Sequence, residues 1–456
     1  MKTIIRIVIY IICVLSISAE FFVGGEIVEA SSPASKLVLE VESVTVKGCK
    51  KLNEAEIRRL IPELNNKQIR IGRLSKQIQL VKDSKSVDID ADFQPVADGV
   101  FKLVVSVKEL RTDMFSLSLS NTGNEYTGKW RANLGWISND ITGHGDKLGL
   151  FYVTSPTVHD HDDVRQAAVV YKMVFPKSGD TAFLSYSYSD VDMGTIGTMG
   201  ALTMEATGRG WANGIHYQHN IEYTSAHKKI LDFGYDFKKY DNAHSYHLSD
   251  IISNGGHKFS VNTGSITYME VHRWDRQLFA GNIGFTFNFD GDQEKYEKYR
   301  HTSNANFKLW SAGLTYQACS KNNWIASIRL NGQYTRDSII YSDQLGAGGS
   351  GTVRGFKDRC ISADNGIIGN FEIYTPPVLK KSRFLFFVDY ADLRNTTNNF
   401  SDFSRETIGS FGIGYRFYDE KSDLSISIDY AKVFDRVEKE TRDNTRPWHV
   451  LISKSF

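Results

Sequence analysis

The sequence predicts a mainly β chain: a small α+β domain followed by a long antiparallel region of membrane-barrel type. Three observations carry this. From about residue 113 to residue 456 helix signals disappear and strands with two-residue alternation recur. After the N-terminal segment no apolar run reaches the roughly eighteen residues a helical span needs, so the remaining chain reads as either a secreted protein or a barrel. The chain also closes on an apolar-rich strand, Trp448 to Ser455, and stops at Phe456.

Residues 1–30 are set aside as a signal peptide and short linker. Lys2 and Arg6 precede the apolar run Ile7 to Ile17, and Ser18-Ala19 supplies small residues at its end. Cleavage after Ala19 or after Ala30 fits equally. Cys13 lies in the apolar run without a small residue before it, which argues against a lipoprotein site.

Residues 37–110 read as a unit of their own. Leu37 to Val46 alternates like a strand and ends at Lys47-Gly48; Leu52-Asn53-Glu54-Ala55-Glu56 opens a helix with Ile57, Leu60 and Ile61 at helical spacing. A second helical pattern puts Ile71, Leu74, Ile78 and Leu80 on one side. Val87 to Val96 and Val100 to Val107 then read as two strands joined by a turn at Asp98-Gly99.

The region 113–456 carries the barrel signal. Leu184, Tyr186 and Tyr188 interleave with Ser185, Ser187 and Ser189; Ile283, Phe285, Phe287 and Phe289 interleave with Asn282, Gly284, Thr286 and Asn288. Ile328, Leu330 and Tyr334, and later Leu424, Ile426, Ile428 and Tyr430, repeat the pattern. Alternation alone fits a sandwich core as well as a lipid face. Aromatic strand ends at Tyr188, Tyr334 and Tyr430 suit interfacial girdles, and 344 residues is long for one sandwich. A mean hydropathy of −0.32 is compatible with a barrel, because every second strand residue faces a polar lumen.

The stretch most dense in chemistry is Gly346-Ala347-Gly348-Gly349-Ser350-Gly351-Thr352-Val353-Arg354-Gly355-Phe356. Five of its first ten residues are glycine, so it is loop. No Gly-Lys-Ser/Thr follows, so it is no phosphate cradle. One arginine in a compact loop suits a bidentate bond to a carboxylate. Asp389, 35 residues on in the strand-like Phe386-Phe387-Val388-Asp389-Tyr390, is the candidate partner.

Together these features resemble the two-partner secretion transporters, the haemolysin secretion/activation family of outer-membrane proteins. That family belongs to the superfamily of the central barrel protein of outer-membrane assembly. The order β-α-α-β-β over residues 37–110 is similar to a POTRA domain. The most specific match is Val353-Arg354-Gly355-Phe356, with Gly348-Gly349 before it and Asp364-Asn365-Gly366 after. In the family this motif caps a loop folded into the barrel, and its arginine bonds an aspartate of the wall motif, here Phe387-Val388-Asp389-Tyr390-Ala391. Ala391 stands where the family usually has glycine. Ser120-Asn121-Thr122-Gly123 and Gly143-His144-Gly145-Asp146 resemble the turns of the first barrel hairpin, and Gly412 to Arg416 a penultimate strand.

The resemblance implies a 16-stranded antiparallel outer-membrane barrel preceded by one periplasmic POTRA domain. Dividing 344 residues by sixteen leaves about 21 for each strand and connection, enough for a tilted span. It also implies a partner, an unfolded exoprotein passenger, and recognition of Phe456 by the outer-membrane assembly machinery during biogenesis. Members commonly carry a plug helix and two POTRA domains; this sequence shows one POTRA pattern and about 17 residues between Glu20 and its first strand. Alternatives are an assembly factor for other membrane proteins, a passive porin and a secreted β-rich enzyme.

A net charge of +1 gives no case for nucleic acid. No Gly-x-Ser-x-Gly or His-Glu-x-x-His pattern appears, so no enzyme activity and no cofactor are expected. The cluster His159-Asp160-His161-Asp162-Asp163 reads as a solvated loop rather than a metal site, because adjacent strand residues point to opposite faces. Beyond the signal segment lie Cys49, Cys319 and Cys360, too few and scattered for a disulfide framework, with a Cys319–Cys360 bond left open.

Overall fold

The computed structural model describes residues 37–456 apart from 124–127, 157–163, 191–193, 200–201, 207–209, 249–250, 380, 398–402 and 435–443. The expected signal segment, 1–30, and the His159–Asp163 cluster lie outside the described residues.

The N-terminal unit contains β1 (Val38–Lys47), α1 (Glu54–Leu60), β2 (Gln68–Arg70), α2 (Ile71–Ser84), β3 (Val87–Ala97) and β4 (Val100–Glu109). Asn53 starts α1 with a capping box: its side chain accepts from the Glu56 N–H while the Glu56 carboxylate accepts from the Asn53 N–H. The sheet order is β2-β1-β4-β3, with β1 and β4 parallel and β3 and β4 an antiparallel hairpin. Gly99, at φ +75°, turns that hairpin. Both helices cover one sheet face, burying Ile57, Leu60, Leu74 and Val81 against Val41, Ile89, Leu103 and Val105. β2 was not legible in the sequence, because three residues are too few to show alternation. On α2 the buried side is Leu74, Gln77, Leu80, Val81 and Ser84, with Ile71 and Ile78 only partly covered, a face rotated from the one its pattern suggested.

After three linking residues the chain forms a closed antiparallel barrel of sixteen strands, each paired with its neighbours in sequence and the last with the first. They are β5 (Asp113–Ser120), β6 (Arg131–Asn139), β7 (Lys147–Thr154), β8 (Arg165–Phe175), β9 (Asp180–Ser189), β10 (Gly210–Tyr223), β11 (His227–Leu248) and β12 (Ile251–Arg273). The second half comprises β13 (Gln277–Asn288), β14 (Lys308–Cys319), β15 (Ile325–Thr335), β16 (Asn365–Tyr374), β17 (Ser382–Arg394), β18 (Arg405–Asp419), β19 (Leu424–Val433) and β20 (Trp448–Ser455). Closure pairs every interior strand on both sides, which a membrane wall requires.

Alternation decides what each face meets. Leu184, Tyr186, Ile215, Tyr217, Phe233, Tyr235, Ile266, Phe386 and Ile413 point outward and are exposed, while Ser185, Ser187, His216, Asp232, Asp389 and Ser410 occupy the opposite parity. An apolar outside with aromatic residues near its edges and a polar inside is the signature of a membrane barrel and excludes a sandwich with a solvated face. Tyr188, Tyr334 and Tyr430 are among those exposed aromatics.

Both barrel termini and the α+β unit share one rim, here the domain end. Its connections are short, such as 224–226 and 274–276; most at the loop end are longer, and the longest is 336–364. The three cysteines 49, 319 and 360 are free thiols. Cys319 ends β14 at the domain rim, and Cys360 lies in the long connection, donating to the Ala347 carbonyl at 3.4 Å.

Candidate functional site

The 336–364 connection does not stay outside. Its arms, Leu345–Ala347 and Ile361–Ala363, pair as a small ribbon. Val353, Phe356, Ile361 and Ala363 pack on the inward residues Ile368, Ala391, Leu393 and Ile408. Ala391, the departure from the family glycine, is fully buried in this cluster, so its methyl group serves as packing surface. Gly348 at φ +116° and Gly355 at φ +95° let the backbone turn where side chains would strain it. A Cβ on Gly355 would also sit 3.0 Å from Val433 Cγ1 and 3.2 Å from Ala431 Cβ.

At the tip Arg354 meets Asp389, the pair read from the sequence. Both are sealed from water, at 2% and 0% exposure. Arg354 Nε donates to Asp389 Oδ2 at 2.7 Å and its Nη2 to Oδ1 at 2.8 Å, while the Arg354 backbone N–H donates to Oδ2 at 3.0 Å. The guanidinium lies 3.5 Å from the centre of the Phe387 ring, a cation–π contact. Val353 and Phe356 are fully buried on either side, and the Gly355 N–H donates to His449 Nε2 at 3.0 Å.

Several members of the cluster were not legible in the sequence. Arg354 Nη1 is 2.8 Å from Glu372 Oε1 and 3.7 Å from Asp429 Oδ2. Asp429 takes a second fork from Arg416, at 2.7 and 2.9 Å. Asn370 donates to Asp389 Oδ1 at 2.8 Å and to the Thr352 carbonyl, tying wall to loop. Arg329 joins through an amide, donating to Asn370 Oδ1 at 3.1 Å, while Arg354 and Arg416 pair with the carboxylates of Glu372, Asp389 and Asp429. Each of the three carboxylates has an arginine within ion-pair distance, which buried ions require. The available signal was parity: Glu372 and Asp429 are polar residues between apolar neighbours, hence inward. Which inward residues meet depends on strand neighbours.

The other expected site residue, Phe456, lies at the domain rim. Its N–H donates to the Phe115 carbonyl at 2.8 Å, placing the C-terminus at the seam between β20 and β5.

A closed sixteen-strand membrane barrel whose longest loop is anchored by an arginine on its inner wall defines an outer-membrane β-barrel of the two-partner secretion transporter class. The family model for haemolysin secretion/activation proteins ShlB/FhaC/HecB matches residues 99–417, and the chain belongs to that family. Among curated relatives, the heme/hemopexin transporter protein HuxB of Haemophilus influenzae strain 86-028NP is 22% identical over 375 residues, covering 78% of this chain and 62% of that protein. HuxB of strain Rd is 20% identical over 287 residues, 61% of this chain and 48% of its own length. The chain thus spans about half to three-fifths of these relatives. Of solved structures, CdiB from Escherichia coli superposes with a TM-score of 0.72 at 17% identity, covering 92% of this chain and 76% of that one. CdiB from Acinetobacter baumannii gives 0.69 at 17% identity, with 92% and 74% covered. BamA from Haemophilus ducreyi lacking POTRA domains 1–3 gives 0.57 at 13%, with 92% and 85% covered. These likenesses establish the fold.

Proposed function

We propose that the protein secretes an unfolded exoprotein across the outer membrane, with the α+β unit acting as a POTRA domain in the periplasm and the loop end facing outside. The observation that carries this is the Arg354–Asp389 anchor inside a closed barrel, and family membership supports it. Short turns at the domain end and longer loops opposite fit this orientation. The curated relatives are themselves named transporters.

In this reading the passenger adds as a strand to an open edge of the domain sheet, of which β3 is the longer. It then threads the lumen. Folding outside removes the transportable state and so draws transport forward by mass action, with no catalytic step required of this chain.

The test is Arg354→Ala, assayed by co-expression with an exoprotein that the wild-type protein secretes. Removing one partner of a buried pair costs about 3–5 kcal/mol, so passenger in the medium is expected to fall by about tenfold or more while the barrel still folds. Wild-type secretion would sink the anchor's role. Normal passenger export combined with loss of other barrels from the membrane would instead favour an assembly role.

A further inference from the structure

A second sealed charge pair lies outside the Arg354 cluster and shares no residue with it. The connection from β13 to β14 carries helix α3 (Gln293–Tyr299). Its buried Tyr296 and Tyr299 pack on Tyr240, Phe259 and Val261. Those three hold the inward parity of β11 and β12: Val261 pairs with Lys238, whereas Tyr235 and Ile266, on the other parity, are exposed to lipid. α3 therefore lies inside the wall at the loop-end mouth, against β11 and β12. Tyr296 fixes it there, its hydroxyl accepting from Asn288 Nδ2 at 2.8 Å and donating to the Ser260 carbonyl at 3.3 Å.

The residue after α3 is Arg300, 2% exposed, and it reaches Asp364, 0% exposed. Nη1 donates to Oδ1 at 2.6 Å and Nη2 to Oδ2 at 3.3 Å; Nη2 also donates to Asn395 Oδ1 at 3.0 Å and Nη1 to the Ile339 carbonyl. Asp364 accepts further from the N–H groups of Ile339 at 3.2 Å and Thr396 at 2.9 Å, and from Gln344 Nε2 at 3.1 Å. One carboxylate thus joins three loop-end connections: 289–307, 336–364 and 395–404.

We propose that the α3 segment is the outer gate of the pore and that Arg300–Asp364 is its latch, distinct from the inner anchor at Arg354. The inner anchor holds the tip of the long loop and leaves α3 untouched. Arg300 fixes the end of α3 to the last residue of that loop before β16, so this pair and the Tyr296 packing together hold α3 down, and weakening either favours the lifted position. Losing one member leaves the other buried and unpaired, which favours the conformation in which water reaches it: the lifted one. The inference rests on the pore reading and is independent of the passenger.

The experiment is conductance of the purified full-length protein in planar bilayers, without passenger, for wild type, Asp364→Asn, Arg300→Gln and Tyr296→Ala. The last loosens α3 from β12 and leaves the charge pair intact, so it serves if the charge variants do not fold. Every variant that keeps the faster gel migration of a folded barrel is expected to show an open fraction raised by about tenfold or more. An unchanged open fraction in the folded variants overturns the gate, and so does a wild type already fully open. A failed transporter reading shows differently, as absent passenger export by wild type in cells, and leaves this readout standing.

Discussion

Arg354 is held on every side. Two nitrogens fork onto Asp389, a third faces Glu372, and the plane rests on Phe387. A lysine there would keep the charge and lose the fork. A second carboxylate does comparable work in the domain. Glu109 Oε1 accepts the N–H groups of Lys50, Lys51 and Leu52 at 2.7, 2.7 and 2.9 Å. The turn depends on Gly48 at φ +89°, where a Cβ would fall 2.2 Å from the Val107 carbonyl oxygen. These N–H groups, Leu52 foremost, hold the Glu109 carboxyl below its ordinary value of 4.5. A depressed carboxylate stabilises the fold above that value, and the contribution is lost as pH falls through the lower folded one. Hydrogen-exchange protection of the 50–52 amides, corrected for intrinsic rate, is therefore expected to hold from neutral pH to about 4.5 and to drop below it. In Glu109→Gln it should already be reduced at neutral pH. Flat protection through the acid range would refute this. Arg354 and Asp389 were legible because motif and strand announce them. Glu372, Arg416 and Glu109 were not, since each owes its role to a neighbour distant in sequence.

At the scale of elements, α2 joins the domain to the barrel. Lys76 donates to the Ser178 carbonyl at 3.1 Å and to that of Asn220, and Gln77 to that of Pro176 at 3.0 Å. Arg59 of α1 donates to the Gly143 carbonyl at 2.7 Å. Asp83, near the end of α2, meets Lys228 at 2.5 Å and lies close to Tyr223, Lys147 and Lys172. Burial pushes the Asp83 carboxyl up, but Lys228, Tyr223 and Lys172 outweigh it, and the net direction is down. Asp83→Asn leaves those lysines facing one another, a loss of about 1–3 kcal/mol in docking. The domain should then part from the rim more often, and trypsin should cut faster after exposed Arg111 in the linker, by about fivefold or more. An unchanged rate would mean the other contacts suffice. The helix itself was legible from its spacing. The docking was not, because Lys76, Gln77 and Asp83 read as ordinary solvated positions until the barrel rim is placed against them.

For the whole molecule, the alternating strands made an all-β region legible, their aromatic ends and the region's length pointed to a barrel, and the resemblance supplied its strand number. How evenly the ring is closed was not legible, since that depends on register. β17 and β18 pair along the whole of Ser382–Arg394, whereas β20 and β5 pair only Leu451–Ser455 with Ser120–Ser116. The seam is therefore the shortest ladder in the ring, and it is fastened at both ends. At the domain rim Phe456 donates to the Phe115 carbonyl at 2.8 Å. At the loop end Asn121 donates from Nδ2 to the Trp448 carbonyl at 2.8 Å and accepts from the Val450 N–H at 2.9 Å. A folded barrel resists unboiled detergent and migrates faster than the boiled chain, so the temperature at which the fast form disappears reports the weakest part of the ring. Asn121→Ala removes two hydrogen bonds, about 1–3 kcal/mol, and should lower that temperature by a few degrees. Asn213→Ala, on the lipid face of β10 where both neighbours are fully paired, should not lower it. If Asn121→Ala melts with the wild type, the seam is not the weak point, and the ring opens first at another ladder.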